Sequence, residues 1–302
     1  MTPDLSVVIS THSRPAMLRQ AIAAVRAQTW PGVVETLVVY DQTEPDWSLA
    51  TSDTHRPVRV LPNHRTPGLP GSRNAGAEAA AAPVLGFCDD DDLWLPTKAV
   101  RQLHLLEESG AEASTSGIEI QVGDLVVERR GEGPELTFEH LLRKRRVEAN
   151  MVTAVVRAHS FWDHIGPLDE EVPGGYAEDY EWVLRAARRQ PITVAPEPLV
   201  MVRWTSASHF RDRWLTIDRA LAYLEQKVPE FRGDARGWAR LEGQRAFAQA
   251  AAGRRSGALA TVWSSLRAHP VEPRAWLALG VAAGLVPADA VVNGLARRGR
   301  GV

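Results

Sequence analysis

The strongest constraint on the fold is a regular alternation, within the first 122 residues, of short runs rich in β-branched residues and segments with apolar residues at helical spacing. The strand-like runs are residues 5–9, 36–40, 58–61 and 84–88. The helical segments between them include residues 15–25 and 72–82. Strands that alternate with helices are typical of βαβ units, in which a helix connects two parallel strands. The first part of the chain is therefore predicted to be an α/β structure.

The second part of the chain changes in character twice. Residues 112–130 have the pattern of a hairpin and residues 151–156 that of a further strand, so antiparallel strands are expected to join the sheet. Beyond His209 the strand patterns end, and Ala-, Leu- and Arg-rich segments divided by proline and glycine predict four or five helices. We therefore expect a Rossmann-type mixed sheet flanked by helices in residues 1–210 and a helical appendage in residues 211–302.

The composition narrows the class of protein. A hydrophobic content of 44% and a charged content of 24% are ordinary for a globular protein, which argues against disorder. The net charge of −2 lacks the basic excess of nucleic-acid binding proteins, so no nucleic-acid partner is expected. Cys88 is the only cysteine, which excludes an intrachain disulfide and a zinc site built from cysteines. A bound metal would therefore need mainly oxygen ligands.

The sequence also indicates in which cell compartment the protein is expected. The first residues lack a basic segment followed by a long apolar run, as a signal peptide would have. The most apolar later stretch, residues 276–285, is shorter than the roughly 20 residues that cross a bilayer. A cytoplasmic protein without a transmembrane segment is expected. The basic segment 297–300 leaves peripheral contact with an anionic membrane open, although a solvated terminus is the favoured interpretation.

The most informative motif is FCDDDDLW at residues 87–94, in which four aspartates directly follow a predicted buried strand. Like charges placed together repel, so a cation is expected to compensate them. Mg²⁺ and Mn²⁺ prefer carboxylate oxygens, and commonly bind through one or two carboxylates together with substrate phosphates. Because open α/β sheets bind ligands at the carboxyl ends of their strands, Asp89 and Asp91 are predicted to face a metal and a nucleotide diphosphate. A solvated acidic turn is the alternative.

Other candidate residues share that edge of the predicted sheet. Asp41 ends the second strand and Thr11 follows the first, so either can contact a base or a ribose, although a turn-forming aspartate explains Asp41 equally well. The segment GSRNAG at residues 71–76 follows a Pro/Gly-rich loop and opens a helix, whose backbone donors and Arg73 can face an anion. Ser72 can also be an ordinary helix cap.

A second acidic motif is GGYAEDYEW at residues 174–182, where glycines precede a helix with three carboxylates in its first turn. Helix N-termini favour acids, which explains this pattern without any catalytic role. However, an acceptor hydroxyl that attacks a sugar carbon needs a base, while a diphosphate leaving group needs a cation. Two separate acidic motifs supply both requirements and favour a group-transfer enzyme.

Histidine and tryptophan side chains are weaker candidates. His209, at the junction of the two predicted regions, can ligate the metal or contact phosphate, but a surface or packing role is commoner for a single histidine. Trp94 and Trp182 lie close to the two acidic motifs and offer flat apolar surfaces to a sugar ring. Core packing is the default for each of them.

Taken together, these segments resemble the family 2 glycosyltransferases, which have the GT-A fold, over about residues 5–210. The most specific match is at residues 87–96, which are similar to the family's Asp-x-Asp segment with its Leu-Trp-x-Pro continuation. The other matching segments, in the family's order, are residues 7–15, 38–41, 71–76, and 166–170 followed by 178–185. Tyr40 is a departure, since the family more often has paired aspartates at the end of the second strand.

The resemblance implies roles for individual residues. Donor contacts are implied for Thr11, Asp41, Arg73, Asp89 and Asp90. Metal binding is implied for Asp91, with His209 as a further candidate ligand and Mn²⁺ or Mg²⁺ as the ion. Asp179 is implied as the base that deprotonates the acceptor, which gives inversion at the anomeric carbon, with Glu178 and Trp182 on the acceptor side.

The implied activity is transfer of a sugar from a nucleotide diphosphate donor, with a UDP-sugar favoured, to a hydroxyl of a glycan, a lipid-linked saccharide or a small molecule. The Gln-x-x-Arg-Trp motif of processive relatives is absent, because residues 200–202 before Arg203 read VMV, so a single addition is expected. One alternative is a nucleotidyltransferase, which is disfavoured because residues 11–15 contain no glycine for a triphosphate loop. The other is a non-catalytic module that binds a sugar or a partner.

Overall fold

The chain is described by a computed structural model over residues 2–146, 149–204 and 213–296. Its contacts divide it into two compact units. The first consists of the described residues of Met1–Phe138, Arg146–Glu170 and Glu178–Trp204. The second consists of Glu139–Arg145, Glu171–Ala177 and the part of Thr205–Val302 that the structure describes. The predicted boundary at residue 210 lies within residues 205–212, outside the described part, and stays a prediction.

Among the described residues, ten strands form one sheet in the first unit. They are β1 (Leu5–Thr11), β2 (Val34–Tyr40), β3 (Val58–Pro62), β4 (Val84–Asp89), β5 (Leu93–Trp94), β6 (Ala113–Val122), β7 (Leu125–Arg129), β8 (Glu135–Leu136), β9 (Val155–Arg157) and β10 (Ile192–Arg203). Their order is β3-β2-β1-β4-β9-β6-β10-β5, with β7 beside β6 and β8 beside β10. Strand β1 is parallel to β2 and β4, whereas β9 is antiparallel to β4 and β6. The predicted mixed sheet is therefore confirmed.

Helices flank this sheet. Within the described chain the α-helices are α1 (Pro15–Arg26), α2 (Leu69–Ala79), α3 (Lys98–Ser109), α4 (Phe138–Arg143), α5 (Glu178–Arg189), α6 (Trp214–Lys227), α7 (Ala235–Ala251), α8 (Arg255–Ala268), α9 (Pro273–Ala282) and α10 (Ala288–Ala296). In the first unit, α2 packs against β1 and β2, and α3 packs against β6 and β10. These contacts cover the apolar strands with the apolar faces of the helices.

The second unit contains α6 to α10, which confirms the predicted C-terminal helices. Helix α7 packs against both α8 and α9. Their core includes Phe247 of α7, Val262 of α8 and Ala278 of α9, all of which are buried. No helix in the part of the chain that the structure describes combines the length and the apolar character needed to span a bilayer.

The register of the central parallel strands determines where polar residues meet. Thr11 at the end of β1 pairs with Tyr40 of β2, and Ser10 pairs with Asp89 of β4. The backbone N–H of Asp41 donates to the carbonyl of Thr11 at 2.8 Å. The carboxyl ends of β1, β2 and β4 consequently lie side by side, and the residues that follow them share one edge of the sheet.

Helix α2 begins earlier than its predicted start at residue 72. Gly68, with a φ of 118°, turns the chain into the helix, and Pro70 lies in the first helical turn. Proline fits there because the N–H that it lacks would have no partner inside the helix. The end of the Pro/Gly-rich loop therefore forms the first turn of α2.

The strand predicted at residues 151–156 is restricted to β9, because a turn takes its first residues. The Oδ1 atom of Asn150 accepts hydrogen bonds from the backbone N–H groups of Val152 at 3.0 Å and Thr153 at 3.3 Å. The hydroxyl of Thr153 donates to the Asn150 carbonyl at 2.8 Å. Side chains that bond the local backbone in this way compete with the hydrogen bonds of a strand.

Gly76 of α2 lies against β1 and β2, and a Cβ atom there would approach Val8 Cγ1 to 2.3 Å and Val39 Cγ2 to 3.0 Å. Because both valines are buried, we expect Gly76→Ala to lower the free energy of unfolding by about 1–3 kcal/mol through overpacking, as measured by chemical denaturation. The matched control is Gly280→Ala in α9, where no described atom lies within 4 Å of such a Cβ. That variant should be neutral or more stable by up to about 1 kcal/mol. An unchanged free energy for Gly76→Ala would contradict the close approach.

Candidate active site

Three of the four consecutive aspartates form a compact group at the end of β4. One carboxylate oxygen from each of Asp89, Asp91 and Asp92 lies within 4.8 Å of the other two. Burial and the neighbouring charges raise the pKa of Asp91 to about 6 and that of Asp92 well above its usual range. Carboxylates this close and this poorly solvated fit a divalent cation, which would favour their ionised forms. Asp92 was not among the predicted site residues, although it belongs to the same acidic run.

The remaining aspartate, Asp90, faces different partners. It is buried, and it accepts hydrogen bonds from Thr11 Oγ1 at 2.7 Å and Arg14 Nη1 at 3.0 Å. Burial raises the pKa of Asp90, although these two donors oppose the rise. Arg14 also forms an ion pair with Asp91. Thr11 and Asp90, both predicted to contact the donor, therefore bind each other beside the metal candidates, and their donor contacts stay predictions.

Arg73 of α2 connects the two acidic motifs. Its guanidinium donates to Asp89 Oδ1 at 2.5 Å and to Glu178 Oε1 at 2.7 Å, and both Arg73 and Glu178 are buried. Burial lowers the pKa of Arg73, but the charges of Asp89 and Glu178 outweigh it and raise this pKa above its usual value. Burial and the charge of Asp179 raise the pKa of Glu178 to about 7. One buried cation thus holds a carboxylate from each motif.

A cavity of about 130 Å³ lies where these side chains meet. Its lining consists of Arg73, Asp89, Asp92, Asn150, Met151, Val152, Asp179 and Val202. The cavity therefore brings together three of the predicted site residues, and Asp91 lies beside one of them, Asp89. Asp179 is half-buried at the start of α5, where its Oδ1 accepts the N–H of Tyr180 at 2.7 Å. Among the described atoms, Arg73 Nε is buried without a hydrogen-bond partner, so an acceptor atom of a ligand could satisfy it.

Asp41 follows β2 and does not line the cavity. Its carboxylate accepts hydrogen bonds from Asn63 Nδ2 at 2.8 Å, Gln42 Nε2 at 3.0 Å and the backbone N–H of Gly68 at 3.1 Å. Burial raises the pKa of Asp41, but the bonds from Asn63 and Gln42 outweigh it and lower this pKa below its usual value. Asp41 is therefore a fixed, ionised acceptor beside Thr11, and its contact with a nucleoside stays a prediction.

The two aromatic candidates lie in the interior. Trp182 is completely buried, its Nε1 donates to the carbonyl of Gly166 at 3.0 Å, and its ring centroid lies 5.9 Å from that of Phe161. Trp94 is also buried, with Nε1 donating to the carbonyl of Phe87 at 3.1 Å. These positions favour core packing for both rings over contact with a sugar. The other weak candidate, His209, lies outside the described residues.

Asn74 of the GSRNAG motif and Arg65, which precedes the Pro/Gly-rich loop, hold parts of the site in place. Asn74 donates to the carbonyl of Leu168 at 2.9 Å and to Glu170 at 2.8 Å, and it accepts the N–H of Leu168 at 3.0 Å. Arg65 also pairs with Glu170, at 2.6 Å. Asn74 lies within the GSRNAG motif but was assigned no role from the sequence, and the signal that could have found one is its position directly after Arg73.

The cavity wall at residues 150–152 is held from the core by α3. Lys98 is completely buried, and its Nζ donates to the backbone carbonyl of Thr153 at 2.8 Å. Gln102 contacts Lys98 and donates to the same carbonyl at 3.0 Å. Burial lowers the pKa of Lys98 well below its usual value. Lys98 was also overlooked, although its spacing with Gln102 and the buried Leu106 places it on the inner face of the helix.

The sequence profile described as Glycosyl transferase family 2 matches residues 6–162, which are more than half of the 302 residues. The chain therefore belongs to glycosyltransferase family 2. The matched region contains Thr11, Arg73 and the acidic run at the end of β4, whereas Asp179 lies beyond it.

A curated relative is the UDP-Glc:alpha-D-GlcNAc-diphosphoundecaprenol beta-1,3-glucosyltransferase WfaP of Escherichia coli, which is 20% identical over 148 residues. The match covers 49% of this chain and 59% of WfaP, so the chain spans less than two thirds of that relative. Among solved structures, S. aureus TarS 1-349 in complex with UDP-GlcNAc has a TM-score of 0.59 at 13% identity, covering 88% of this chain and 89% of TarS 1-349. Mannosyltransferase PcManGT from Pyrobaculum calidifontis, in complex with GDP-Man and Mn²⁺, has a TM-score of 0.56 at 15% identity, covering 95% of this chain and 81% of PcManGT. These likenesses confirm the GT-A fold.

The raised pKa of Asp91 predicts an effect of pH on stability in the absence of divalent ions. Asp91 binds a proton more readily in the folded protein than in the unfolded chain. Its favourable contribution to the free energy of unfolding is therefore complete below about pH 4 and is lost as the pH rises through about 6. We expect Asp91→Asn to increase the free energy of unfolding at about pH 7.5, by about 1–2 kcal/mol, and to give no increase at about pH 4. Thermal denaturation in EDTA at both pH values measures the difference.

The control is Asp53→Asn, at an exposed aspartate whose pKa is lowered by hydrogen bonds from the backbone N–H groups of Arg56 and His55. Since the ionised form is favoured there, the same change should not stabilise the protein at about pH 7.5. A lower melting temperature for Asp91→Asn than for wild type at about pH 7.5 would show that the ionised Asp91 carboxylate does not destabilise the folded protein.

Proposed function

We propose that the chain transfers a sugar from a nucleotide diphosphate donor to an acceptor hydroxyl, with a divalent cation and with inversion at the anomeric carbon. The observation that supports this most is the position of Arg73, which pairs with Asp89 of the first acidic motif and Glu178 of the second. Asp179 lines the same cavity as Asp89. A divalent cation beside the leaving diphosphate and a base beside the acceptor hydroxyl would therefore lie on either side of the sugar that is transferred.

The metal would be Mn²⁺ or Mg²⁺, held by Asp91 together with oxygens of Asp89 or Asp92. When bound, such an ion neutralises charge on the diphosphate leaving group. The closeness of these three carboxylates and the raised pKa of Asp91 support a cation here. The solved complex of PcManGT contains Mn²⁺, which supports a divalent ion within this fold. Ligation by His209 stays a prediction.

Asp179 is the proposed base. Its carboxylate would accept the proton of the acceptor hydroxyl while that oxygen forms a bond to the anomeric carbon. The bond from this carbon to the diphosphate oxygen would break in the same step, and direct attack inverts the configuration. Glu178 is bound to buried Arg73 at 2.7 Å, so we assign it to fixing the start of α5, where Asp179 lies, on the acceptor side.

The nucleoside end of the donor would lie at the ends of β1, β2 and β4, beside Thr11, Asp41 and Asp90. Asp41 suits this role because its hydrogen bonds to Asn63 and Gly68 hold its carboxylate in one orientation. We favour a UDP-sugar, since WfaP is named for UDP-Glc and TarS 1-349 was solved with UDP-GlcNAc. PcManGT was solved with GDP-Man, which makes a GDP-sugar the alternative.

The acceptor would be a hydroxyl of a glycan, a lipid-linked saccharide or a small molecule, with one addition per encounter. The name of WfaP specifies a diphosphoundecaprenol-linked acceptor, which supports a lipid-linked saccharide. Peripheral contact with a membrane would then be expected. In the second unit Trp263 is 69% exposed, Trp276 53% and Leu285 79%, and tryptophan and leucine are side chains that can insert at the surface of a membrane.

A thermal-shift experiment with UDP and GDP, each with and without Mn²⁺, tests the donor class and the metal together. A ligand at a hundredfold excess over its Kd stabilises the native state by about 2.7 kcal/mol. We expect a Mn²⁺-dependent rise in melting temperature with UDP for the wild type and its loss in Asp91→Asn. The variant Asp53→Asn should behave as wild type. A shift that persists in Asp91→Asn would contradict the proposed metal site.

Replacement of the base tests the chemistry separately from binding. With a saccharide acceptor present, we expect Asp179→Asn to lower the rate of UDP release from a UDP-sugar by about 10²–10⁴-fold, because a general base contributes that much. Its Mn²⁺-dependent shift with UDP should be retained. The control Asp163→Asn changes an exposed aspartate outside the cavity and should keep full activity. An active Asp179→Asn variant would exclude Asp179 as the base.

A further inference from the structure

Arg14 lies between the predicted donor contacts and the candidate metal ligands. Its Nη1 pairs with Asp90 Oδ1 at 3.0 Å and also with Asp91. Asp91 in turn belongs to the group of three carboxylates whose oxygens lie within 4.8 Å of one another. The Arg14 guanidinium therefore neutralises part of the charge that a divalent cation at Asp91 would neutralise.

The two arginines beside the aspartates differ in freedom of movement. The Arg73 side chain is only 4% exposed, and Asp89 and Glu178 hold it from two sides. The Arg14 side chain is 43% exposed and belongs to the turn between β1 and α1. A long exposed side chain can change rotamer without leaving a void in the core. The Arg14 side chain can therefore break its ion pair with Asp91 at little cost, whereas movement of Arg73 would break buried ion pairs and disrupt the packing around it.

An ion pair that exists only in the metal-free protein opposes metal binding. The free energy gained when Arg14 pairs with Asp91 must be given up when Asp91 becomes a ligand, and the two positive charges also repel. A nucleotide diphosphate changes this balance, because phosphate oxygens are strong acceptors for a guanidinium. Binding of the cation and binding of the nucleotide would therefore strengthen each other.

We propose that Arg14 makes cation binding depend on the nucleotide. In the free protein its guanidinium pairs with Asp90 and Asp91, and when the donor binds it pairs with the diphosphate instead. This inference rests on the proposed metal-dependent transfer and adds a positioning residue to it. The free protein then binds Mn²⁺ weakly, and the cation is retained only when the donor is present. The site is thereby kept from holding a metal ion without a substrate.

Isothermal titration calorimetry with Mn²⁺ alone, and with Mn²⁺ at saturating UDP, tests the role of Arg14. We expect Arg14→Gln to bind Mn²⁺ alone about tenfold more tightly than wild type, because the competing charge is gone. The ratio of the Mn²⁺ Kd without UDP to that with UDP should shrink by about the same factor. Arg14→Lys keeps the charge and should stay closer to wild type. The matched control Arg19→Gln, on α1, removes an exposed arginine paired with Asp46 at 2.8 Å and should change neither value.

If Arg14→Gln binds Mn²⁺ alone no more tightly than wild type does, the proposed role of Arg14 is overturned. In that case a loss of Mn²⁺ binding in Asp91→Asn would still support the metal site. If neither wild type nor Arg14→Gln binds Mn²⁺, with or without UDP, the metal in the proposed function is overturned together with the role of Arg14. Should Arg14→Gln fail to fold, Arg14→Ala is titrated with the same expectation.

Discussion

The arrangement at this edge of the sheet depends on how the charge of four consecutive aspartates is compensated. They follow a buried strand, so water can screen them only in part. Two arginines from different parts of the chain each neutralise some of this charge: Arg73 binds Asp89, and Arg14 binds Asp90 and Asp91. Burial, together with the charge of Asp89, raises the pKa values of Asp91 and Asp92. The ionised forms of these two carboxylates are therefore not fully stabilised by the two arginines alone.

Parallel pairing is what brings these groups together. Thr11 and Asp90 are far apart in the sequence, yet their side chains lie 2.7 Å apart because β1 and β4 are neighbours in the sheet. The close packing of α2 through Gly76 brings Arg73 to the end of β4, within reach of Asp89. The geometry of the site is thus a consequence of backbone packing in the first unit rather than of loop conformation alone.

The parts of this arrangement that are local in the sequence are predictable, and those that arise from long-range contacts are not. An apolar run followed by acids predicts carboxylates at a sheet edge, and helical spacing predicts the C-terminal helices. Whether Asp90 or Asp92 joins the compact group depends on the path of the backbone through a turn, which residue types do not specify. Contacts of Asn74 and Lys98 with distant backbone atoms also leave only a faint local pattern. For the same reason, the assignment of Glu171–Ala177 to the second unit has no sequence signature.

In the wall of the cavity the main chain is held by hydrogen bonds, while side chains form the surface that faces the cavity. Lys98 and Gln102 bind the main-chain carbonyl of Thr153, so their hold does not depend on the side chains of Met151 and Val152 that line the cavity. Both of these side chains are buried, and Val152 belongs to the hydrophobic core of the first unit, so a change in their size or polarity would also disturb the packing behind the cavity. A point substitution at either position would therefore reshape the cavity and the adjoining core together, while the main-chain carbonyl of Thr153 keeps its two donors.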